Sequence, residues 1–284
     1  MELDGNGNGN SNGHSAHGRR LKGKVAIIIG GARGIGGATA ELFAHNGAHV
    51  IIADVLDEPG LKLADSIGGL FIHCDVRAES DVEAAVNLAL ERHGRLDVMI
   101  NNAGIAGPYG SIADLSMAKM EDLIDVNVRG TVHGTKHAAR AMIKGGKGGS
   151  IICTTSTAAT MGGLGSHAYT LSKAAVLGLA RSSACELGVH GIRVNCISPH
   201  GVPSEMLLEA YRRFTGRADI GPEEVGRLAS ERGSLLRGRS ASMEDSAKAA
   251  LFLASDEAGF ITGHNLIVDG GFTSADSKMS HIYQ

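Results

Sequence analysis

The sequence lacks tryptophan, has only 4% aromatic residues, and contains five prolines among 284 residues. No apolar run approaches the ~20 residues that a membrane-spanning helix needs. The formal net charge of −3 gives no excess of cationic side chains for binding nucleic acid or an anionic membrane. We therefore expect a cytoplasmic protein without nucleic-acid or membrane partners.

Cysteine is also scarce, and no pair has the CxxC spacing of a redox or metal motif. Each cysteine lies among apolar residues, which predicts reduced thiols in the core: Cys74, Cys153, Cys185 and Cys196. His133 and His137 stand four residues apart in a helical pattern, a spacing that zinc ligands can use. Because no third ligand is identifiable, we predict a packed helix and no metal site.

Composition divides the chain into three parts. Residues 1–20 form a Gly/Asn/Ser tract too poor in apolar side chains to offset its ordering entropy, so we predict a disordered tail. This tract also lacks the apolar stretch of a secretory signal. Residues 21–273 are predicted to form one domain, and residues 274–284 a C-terminal tail.

Short apolar runs alternate with longer stretches of helical periodicity. The runs predict seven strands: Val25–Ile29, Val50–Asp54, Phe71–Cys74, Val98–Asn101, Ser150–Thr154, Arg193–Ser198 and Leu266–Val268. The stretches between them predict helices that include Gly34–Asn46, Ser80–His93, Lys119–Ile143, Tyr169–Leu187 and Met243–Ala254. This alternation predicts an α/β fold, a single Rossmann-type doubly wound parallel sheet with helices on both faces.

Residues 200–238 interrupt this alternation. They contain two short helical patterns, Met206–Phe214 and Glu223–Arg232, and no strand. An insertion between two late strands would lie over the ligand-binding edge of the sheet, so we interpret it as a small helical lid. A packing appendage without a ligand-related role is the alternative.

A glycine loop follows the first predicted strand and opens the first predicted helix. Gly30, Gly34 and Gly36 allow the backbone to approach a pyrophosphate at a helix N-terminus. Asp54 ends the next strand, where its carboxylate can accept hydrogen bonds from ribose hydroxyls and repel a 2′-phosphate. Arg33 favours NADP, but the like-charge barrier at Asp54 favours NAD, and NAD is our prediction.

A second constellation combines Ser156, Tyr169 and Lys173. Tyr169 and Lys173 are four residues apart, so their side chains share one helix face. A free tyrosine has a pKa of ~10, and a nearby ammonium would favour the tyrosinate. Taken alone the pair is weak evidence, because a surface helix can contain Tyr and Lys at this spacing by chance.

Together with the other motifs, these residues resemble the short-chain dehydrogenase/reductase family over Leu21 to about Thr273. The motifs stand in the family's order: Gly30…Gly34-Ile35-Gly36, Asp54, Asp75, Asn101-Asn102-Ala103-Gly104, Asn127, Ser156, Tyr169/Lys173, Pro199 and Val268-Asp269-Gly270-Gly271. Two departures are Ile29, where the family usually has threonine, and Val202-Pro203-Ser204-Glu205, where the family commonly has a Thr-Pro pair.

The resemblance implies catalytic roles for four residues. Tyr169 would be the general base in alcohol oxidation and the general acid in carbonyl reduction. Ser156 would hydrogen-bond the reacting oxygen, and Lys173 would bind the nicotinamide ribose and depress the pKa of the tyrosine. Asn127 would fix a water that relays the proton from the lysine toward solvent.

The resemblance also implies a nicotinamide cofactor. Asp75 would contact the adenine, and the turn Asn102–Gly104 would lie against the adenosine ribose. The implied binding residues are Gly30, Arg33, Gly34, Ile35, Gly36, Asp54, Val55, Asp75, Val76, Asn102, Ala103, Gly104, Tyr169, Lys173, Pro199, Val202 and Ser204. His200 follows Pro199 and either touches substrate or, in our preferred interpretation, has no chemical role.

Within the family, strings such as His73–Val76 and Lys136–Arg140 look like plant secoisolariciresinol, xanthoxin and borneol dehydrogenases. This implies NAD-dependent oxidation of a secondary alcohol on a hydrophobic, cyclic terpenoid or phenolic molecule. The pocket would be lined from Ala106–Ser111, Thr157–His167 and Val202–Phe214. The resemblance further implies a homotetramer, a dimer of dimers formed through Lys119–Ile143 and Tyr169–Leu187.

Two other functions stay open from the sequence. One is a non-redox cyclase or isomerase that keeps NAD as a structural cofactor. The other is a catalytically silent protein that binds a partner in response to NAD. The complete set of Ser156, Tyr169 and Lys173 favours the dehydrogenase over both.

Overall fold

The computed structural model describes residues 19–275, and these form a seven-stranded, all-parallel sheet. The strand order is β3-β2-β1-β4-β5-β6-β7. The topological switch point, where the order of successive strands reverses, therefore lies between β1 and β4. The strands are β1 (Val25–Ile29), β2 (His49–Asp54), β3 (Leu70–His73), β4 (Val98–Asn101), β5 (Gly149–Thr154), β6 (Ile192–Pro199) and β7 (Asn265–Val268).

Helices cover both faces of this sheet. They are α1 (Gly34–His45), α2 (Asp57–Ile67), α3 (Glu79–His93), α4 (Met117–Ile124), α5 (Gly130–Gly145), α6 (His167–Leu187), α7 (Glu205–Thr215), α8 (Pro222–Gly233) and α9 (Met243–Ala254). Helices α1, α2 and α9 contribute to one buried apolar cluster, and α3, α5 and α6 contribute to the other. The central strand β1 is buried along its whole length, because both faces are covered.

The predicted doubly wound sheet is confirmed, and all seven predicted strands are present with ends that differ by at most one residue. The sequence did not predict helix α2. Pro59 and Gly60 lie in its first turn, where they obscure the helical pattern. Gly60 is required there, because a Cβ at this position would lie 2.2 Å from the ring of Phe71.

The helix predicted over Lys119–Ile143 is confirmed, because α4, a π-helical turn at Asp125–Arg129 and α5 follow one another without a break. The π-helical turn itself was not predicted. One extra residue per turn is nearly invisible to a periodicity count, because the apolar positions on either side keep a helical spacing. The turn contains Asn127, one of the residues assigned a catalytic role by resemblance.

The prediction that all four cysteines are core thiols is confirmed for Cys74, Cys153 and Cys196, which are buried, and wrong for Cys185. Cys185 lies on the exposed face of α6, where small residues such as Ala174 and Ala175 are exposed as well. Apolar neighbours in the sequence therefore do not indicate burial on this helix. Within residues 19–275, no helix is long and apolar enough to cross a membrane. The two predicted tails lie mostly outside the described residues.

Packing between β4 and α5 depends on a glycine. A Cβ at Gly134 would lie 1.9 Å from Oδ1 of Asn101, a buried side chain that ends β4. We expect Gly134→Ala to lower the free energy of unfolding by about 1–3 kcal/mol, because the added methyl must displace packed atoms. Urea denaturation measures this change.

Gly145→Ala, at the end of the same helix, is the matched control. A Cβ there meets no atom within 4 Å, so we expect unchanged or slightly higher stability, by up to about 1 kcal/mol. Equal loss of stability in the two variants would show that general helix effects, and not the contact with Asn101, determine the result.

Candidate active site

The glycine loop after β1 is shaped by close backbone contacts. Gly30 adopts a positive φ of 74°, and its N–H donates to the carbonyl oxygen of Ala53 at 2.8 Å. A Cβ at Gly30 would lie 2.6 Å from the backbone of Ala103, and one at Gly36 would lie 2.0 Å from the carbonyl oxygen of Gly30. The loop therefore requires glycine at both positions, and it delivers the chain to the N-terminus of α1.

Asn102 ties this loop to two further strands. Its Nδ2 donates to the carbonyl oxygen of Gly30 at 2.8 Å, and its Oδ1 accepts from the Thr154 hydroxyl at 3.1 Å. Its backbone N–H donates to Ile29 at 3.0 Å. Ile29 stands where the family usually has threonine, and it is buried in the core. The hydrogen bonds of Asn102 therefore hold the loop without a hydroxyl at position 29.

Asp54 lies beside the glycine loop at the end of β2. Its two carboxylate oxygens accept from the backbone N–H groups of Ala32, at 2.9 Å, and Leu56, at 3.0 Å. The side chain is buried to 8% exposure, whereas the next residue, Val55, is 51% exposed. Arg33 is exposed and makes no capping bond with its side chain at the start of α1. Each carboxylate oxygen keeps a further lone pair for a hydroxyl donor.

The region predicted to contact adenine lies after β3. The Asp75 carboxylate accepts from the backbone and guanidinium of Arg77, and this contact lowers the pKa of Asp75. The carbonyl oxygen of Val76 lies 2.9 Å from Nδ1 of His133. The partner that sequence reasoning missed is therefore Arg77, two residues from Asp75, a spacing that could have suggested it.

The two histidines with zinc-compatible spacing each contact a different partner. His133 bonds Val76, and Nε2 of His137 lies 2.9 Å from Oε1 of Glu79. In the part of the chain that the structure describes, no group of three or more His, Cys, Asp or Glu side chains could hold a metal ion.

Ser156, Tyr169 and Lys173 come together at the carboxyl ends of β5 and β6. Helix α6 begins after Ser166, whose hydroxyl accepts from the Tyr169 N–H at 3.3 Å. One turn later, Nζ of Lys173 donates to the carbonyl oxygen of Thr154 at 2.9 Å and lies 5.6 Å from the centre of the Tyr169 ring. The Ser156 hydroxyl accepts from the Ala158 N–H at 3.1 Å, which fixes its position at the start of a short turn.

Burial controls the protonation of this group. It raises the pKa of Tyr169 to about 12, although the hydrogen bond with Ser156 opposes the rise. Burial also lowers the pKa of Lys173 to about 8, against a smaller opposing effect of Cys153 and Cys196. The expected lowering of the tyrosine pKa by Lys173 is therefore not realised in the protein alone. The ammonium is directed at Thr154, and desolvation of the phenol outweighs it.

Asn127 is buried in the π-helical turn and is held on both sides of its amide. Its Oδ1 accepts from the Ile105 N–H at 2.8 Å, and its Nδ2 donates to the Ile105 carbonyl oxygen at 3.0 Å. Nδ2 also lies 3.0 Å from the hydroxyl of Ser172, next to Lys173 in the chain. Asn127 thus fixes the loop after β4 against α6, a contact that the sequence motif did not indicate.

The segment after β6 carries the predicted lid. Pro199 ends β6, Val202 is buried, and Ser204 precedes α7. Helices α7 and α8 match the two predicted helical patterns and share a small apolar cluster of Leu208, Ile220 and Val225. The Arg213 guanidinium of α7 lies 5.7 Å from the ring centre of Tyr109, in the loop after β4.

Tyr109 is a site residue that the sequence placed only within a range. Its phenol contributes to the raised pKa of Tyr169. The Arg213 guanidinium of the lid lies over its ring. Its aromatic ring within a Gly/Ala-rich loop was the one available signal in the sequence.

The residues present fit a dinucleotide with a nicotinamide group. The Gly30/Gly36 cradle would be filled by any side chain, and Asp54 offers carboxylate lone pairs beside it. A Cβ at Gly104 would lie 3.3 Å from Nζ of Lys173, so the glycine keeps the space above the ammonium clear. The cradle and Lys173 lie along the same edge of the sheet, as a molecule with two nucleotide halves requires.

Comparison with known proteins agrees with this geometry. A family model described as enoyl-(acyl carrier protein) reductase matches residues 30–273. Short-chain dehydrogenase reductase ATA1 of Arabidopsis thaliana is 61% identical, covering 93% of this chain and 98% of the relative. (+)-Borneol dehydrogenase 2 of Salvia officinalis is 48% identical, over 92% and 93%. The crystal structure of levodione reductase superposes with a TM-score of 0.83 at 29% identity, over 90% and 100%.

Proposed function

The chain belongs to the short-chain dehydrogenase/reductase family, and we propose that it oxidises a secondary alcohol of a hydrophobic, cyclic metabolite to the ketone with NAD, reversibly. The observation that carries this proposal is the convergence of Ser156, Tyr169 and Lys173 beside a glycine cradle. A dehydrogenase needs these groups together, because one site must position the alcohol, move its proton and hold the nicotinamide.

Each side chain of this set has a distinct task in the proposed reaction. The bound nicotinamide supplies the hydride chemistry. Ser156 holds the substrate oxygen, because its hydroxyl is fixed at the turn by Ala158. Tyr169 is a phenol at neutral pH, the form that donates a proton to a carbonyl oxygen in the reductive direction.

In the oxidative direction Tyr169 must accept the alcohol proton. Its pKa of about 12 is too high for this at neutral pH, so the site must gain positive charge when the ligand binds. Lys173 remains largely protonated below its pKa of about 8, and it is therefore available as a donor to ribose hydroxyls. Asn127, fixed against Ile105 and Ser172, is the proposed support for the proton path beyond the lysine.

The remaining assigned residues are proposed to hold the cofactor. Gly30 to Gly36 would bind the pyrophosphate, Asp54 and Val55 the adenosine ribose, and Asp75 with Val76 the adenine. Asn102 to Gly104 would lie along the ribose, and Pro199, Val202 and Ser204 would contact the carboxamide end. The N-terminus of α1 supports the pyrophosphate assignment, because its free N–H groups favour an anion.

The proposed substrate class rests on exposed apolar side chains in the loops after β4 and β5 and on α7. Tyr109 and Met161 are both 45% exposed, and Ile105 is 42% exposed. Leu207 and Tyr211 of α7 pack only partly into the lid cluster. An apolar alcohol would cover such side chains more favourably than a highly charged substrate would. The 48% identity to a borneol dehydrogenase supports a cyclic alcohol.

A homotetramer, a dimer of dimers, is the proposed assembly. Helix α6 exposes Leu171, Ala174, Ala175 and Gly178 along one side, and Leu171 is 50% exposed. Helix α5 exposes Val132 and Ile143. Small and apolar residues on a long exposed helix allow close packing against a second copy. Sedimentation velocity at micromolar concentration tests this assembly, and a monomer would contradict it.

A spectrophotometric screen of cyclic secondary alcohols and their ketones tests the proposed reaction. We expect nicotinamide absorbance to change with at least one alcohol in the presence of NAD. Tyr169→Phe should lower kcat at least about a hundredfold, because it removes the proton-transferring hydroxyl. Its dissociation constant for NAD should stay within about threefold of the wild-type value, by calorimetry.

Two results of this screen would contradict the dehydrogenase. Full turnover by Tyr169→Phe would exclude the proposed proton transfer. Conversion of an alcohol to an isomer or cyclised product without any change in absorbance would favour the non-redox reaction with NAD as a structural cofactor.

Cofactor choice is tested by Asp54→Asn. The wild type should prefer NAD, because a carboxylate at the ribose repels a 2′-phosphate. The variant should lower the ratio of kcat/KM for NAD to that for NADP at least about tenfold. The ratio is the relevant measure, since asparagine cannot accept from both Ala32 and Leu56 and so weakens binding of both cofactors.

Arg33→Gln is the matched control for the other charge at this loop. Removal of its guanidinium should reduce the use of NADP and leave kcat/KM for NAD within about threefold. A wild type that prefers NADP, and loses that preference in Arg33→Gln, would show that Arg33 and not Asp54 determines the choice.

A further inference from the structure

His200 is a partly buried side chain whose contacts the proposed reaction leaves unexplained. It follows Pro199, and its backbone N–H donates to the carbonyl oxygen of Val268 at 3.1 Å, which extends the pairing of β6 with β7. Nδ1 of its ring lies 2.9 Å from the hydroxyl of Thr157, the residue directly after Ser156. Thr157 is 1% exposed, so this hydrogen bond is shielded from water.

Three other contacts fix the His200 ring. It stacks on Phe272 with ring centres 4.5 Å apart and planes 13° apart. A Cβ at Gly233, the last residue of α8, would lie 2.5 Å from Nε2, so the lid packs directly against the ring edge. Burial lowers the pKa of His200, and the Asp269 carboxylate opposes this. A neutral, immobilised ring is therefore presented to Thr157.

The residue before Ser156 is anchored to the same strand. The Thr155 hydroxyl donates to the carbonyl oxygen of Ile197 at 3.1 Å and also contacts the hydroxyl of Ser198. Ser156 is thus flanked by two threonines whose side chains are both bound to the end of β6. Its own side chain makes a local bond with the Ala158 N–H at 3.1 Å and a hydrogen bond with Tyr169.

We propose that His200 is a positioning residue for Ser156, acting through the Thr157 hydroxyl and held in place by Phe272 and Gly233. This inference rests on the proposed dehydrogenase function. It replaces both sequence interpretations of His200, contact with substrate and absence of a chemical role. It also connects the lid and the C-terminal turn to the serine hydroxyl that would hold the substrate oxygen.

The test removes the hydrogen bond from each side. Thr157→Val deletes the hydroxyl at nearly constant volume, and His200→Leu deletes the ring nitrogen. We expect each to lower kcat about tenfold, since a small misplacement of a substrate-positioning group has effects of this order, with KM for NAD within about twofold. The double variant should be no slower than the slower single variant, because both remove one interaction.

Conservative variants separate positioning from general packing. Thr157→Ser keeps the hydroxyl, and His200→Asn keeps a polar atom near the position of Nδ1. Both variants should therefore have a kcat within about threefold of the wild-type value. Ser255→Ala is the matched control away from the site. Its buried hydroxyl likewise donates to a local carbonyl oxygen, that of Phe252, at 2.8 Å, and we expect unchanged kcat.

Amide exchange gives a readout that needs no turnover. Exchange over residues 156–161 should accelerate at least about tenfold in Thr157→Val, which releases the turn, and remain unchanged in Thr157→Ser. Unchanged exchange and wild-type kcat in Thr157→Val would overturn the proposal, as would additive losses in the double variant. If His200→Leu does not fold, Thr157→Val decides alone. Lack of wild-type activity on every alcohol would overturn the proposed function, and the exchange measurement would still decide the role of His200.

Discussion

The burial of one ammonium group is the constraint on which the rest of the site depends. Lys173 is 4% exposed, and its Nζ donates to the carbonyl oxygen of Thr154 at the end of β5. A buried charge is costly unless it is hydrogen-bonded, so the strand must end with a free carbonyl group at this point. Gly104 leaves room for this group, since a Cβ at that position would crowd Nζ at 3.3 Å.

This constraint determines what the protein leaves for its ligand to do. Burial holds Tyr169 as a phenol with a pKa of about 12 and draws Lys173 toward neutrality, with a pKa of about 8. Bringing the phenol pKa to neutral pH requires about 7 kcal/mol of differential stabilisation. The protein alone does not supply it, because Lys173 is directed at Thr154. A site built this way needs added positive charge to ionise its tyrosine, which fits the proposed use of an oxidised nicotinamide cofactor.

The sequence predicted the sheet well because its strands are short, continuously apolar and covered on both faces, a pattern that few other structures share. It also predicted which residues meet at the carboxyl edge, since the family motifs encode that arrangement. It did not predict the π-helical turn around Asn127, because one extra residue barely changes the apolar spacing. Nor did it predict the hydrogen bond of His200 with Thr157, which joins residues 43 positions apart.

The protonation of Lys173 in the free protein tests this account most directly. Nitrogen-15 NMR of labelled lysine side chains, with Lys173→Met for assignment, follows each Nζ from pH 6 to 11. The account predicts that Lys173 titrates near pH 8, well below the pKa of ~10.4 of a lysine in a model peptide. A Lys173 signal that titrates together with the exposed lysines would contradict it, because the ammonium would then not be buried in the free protein.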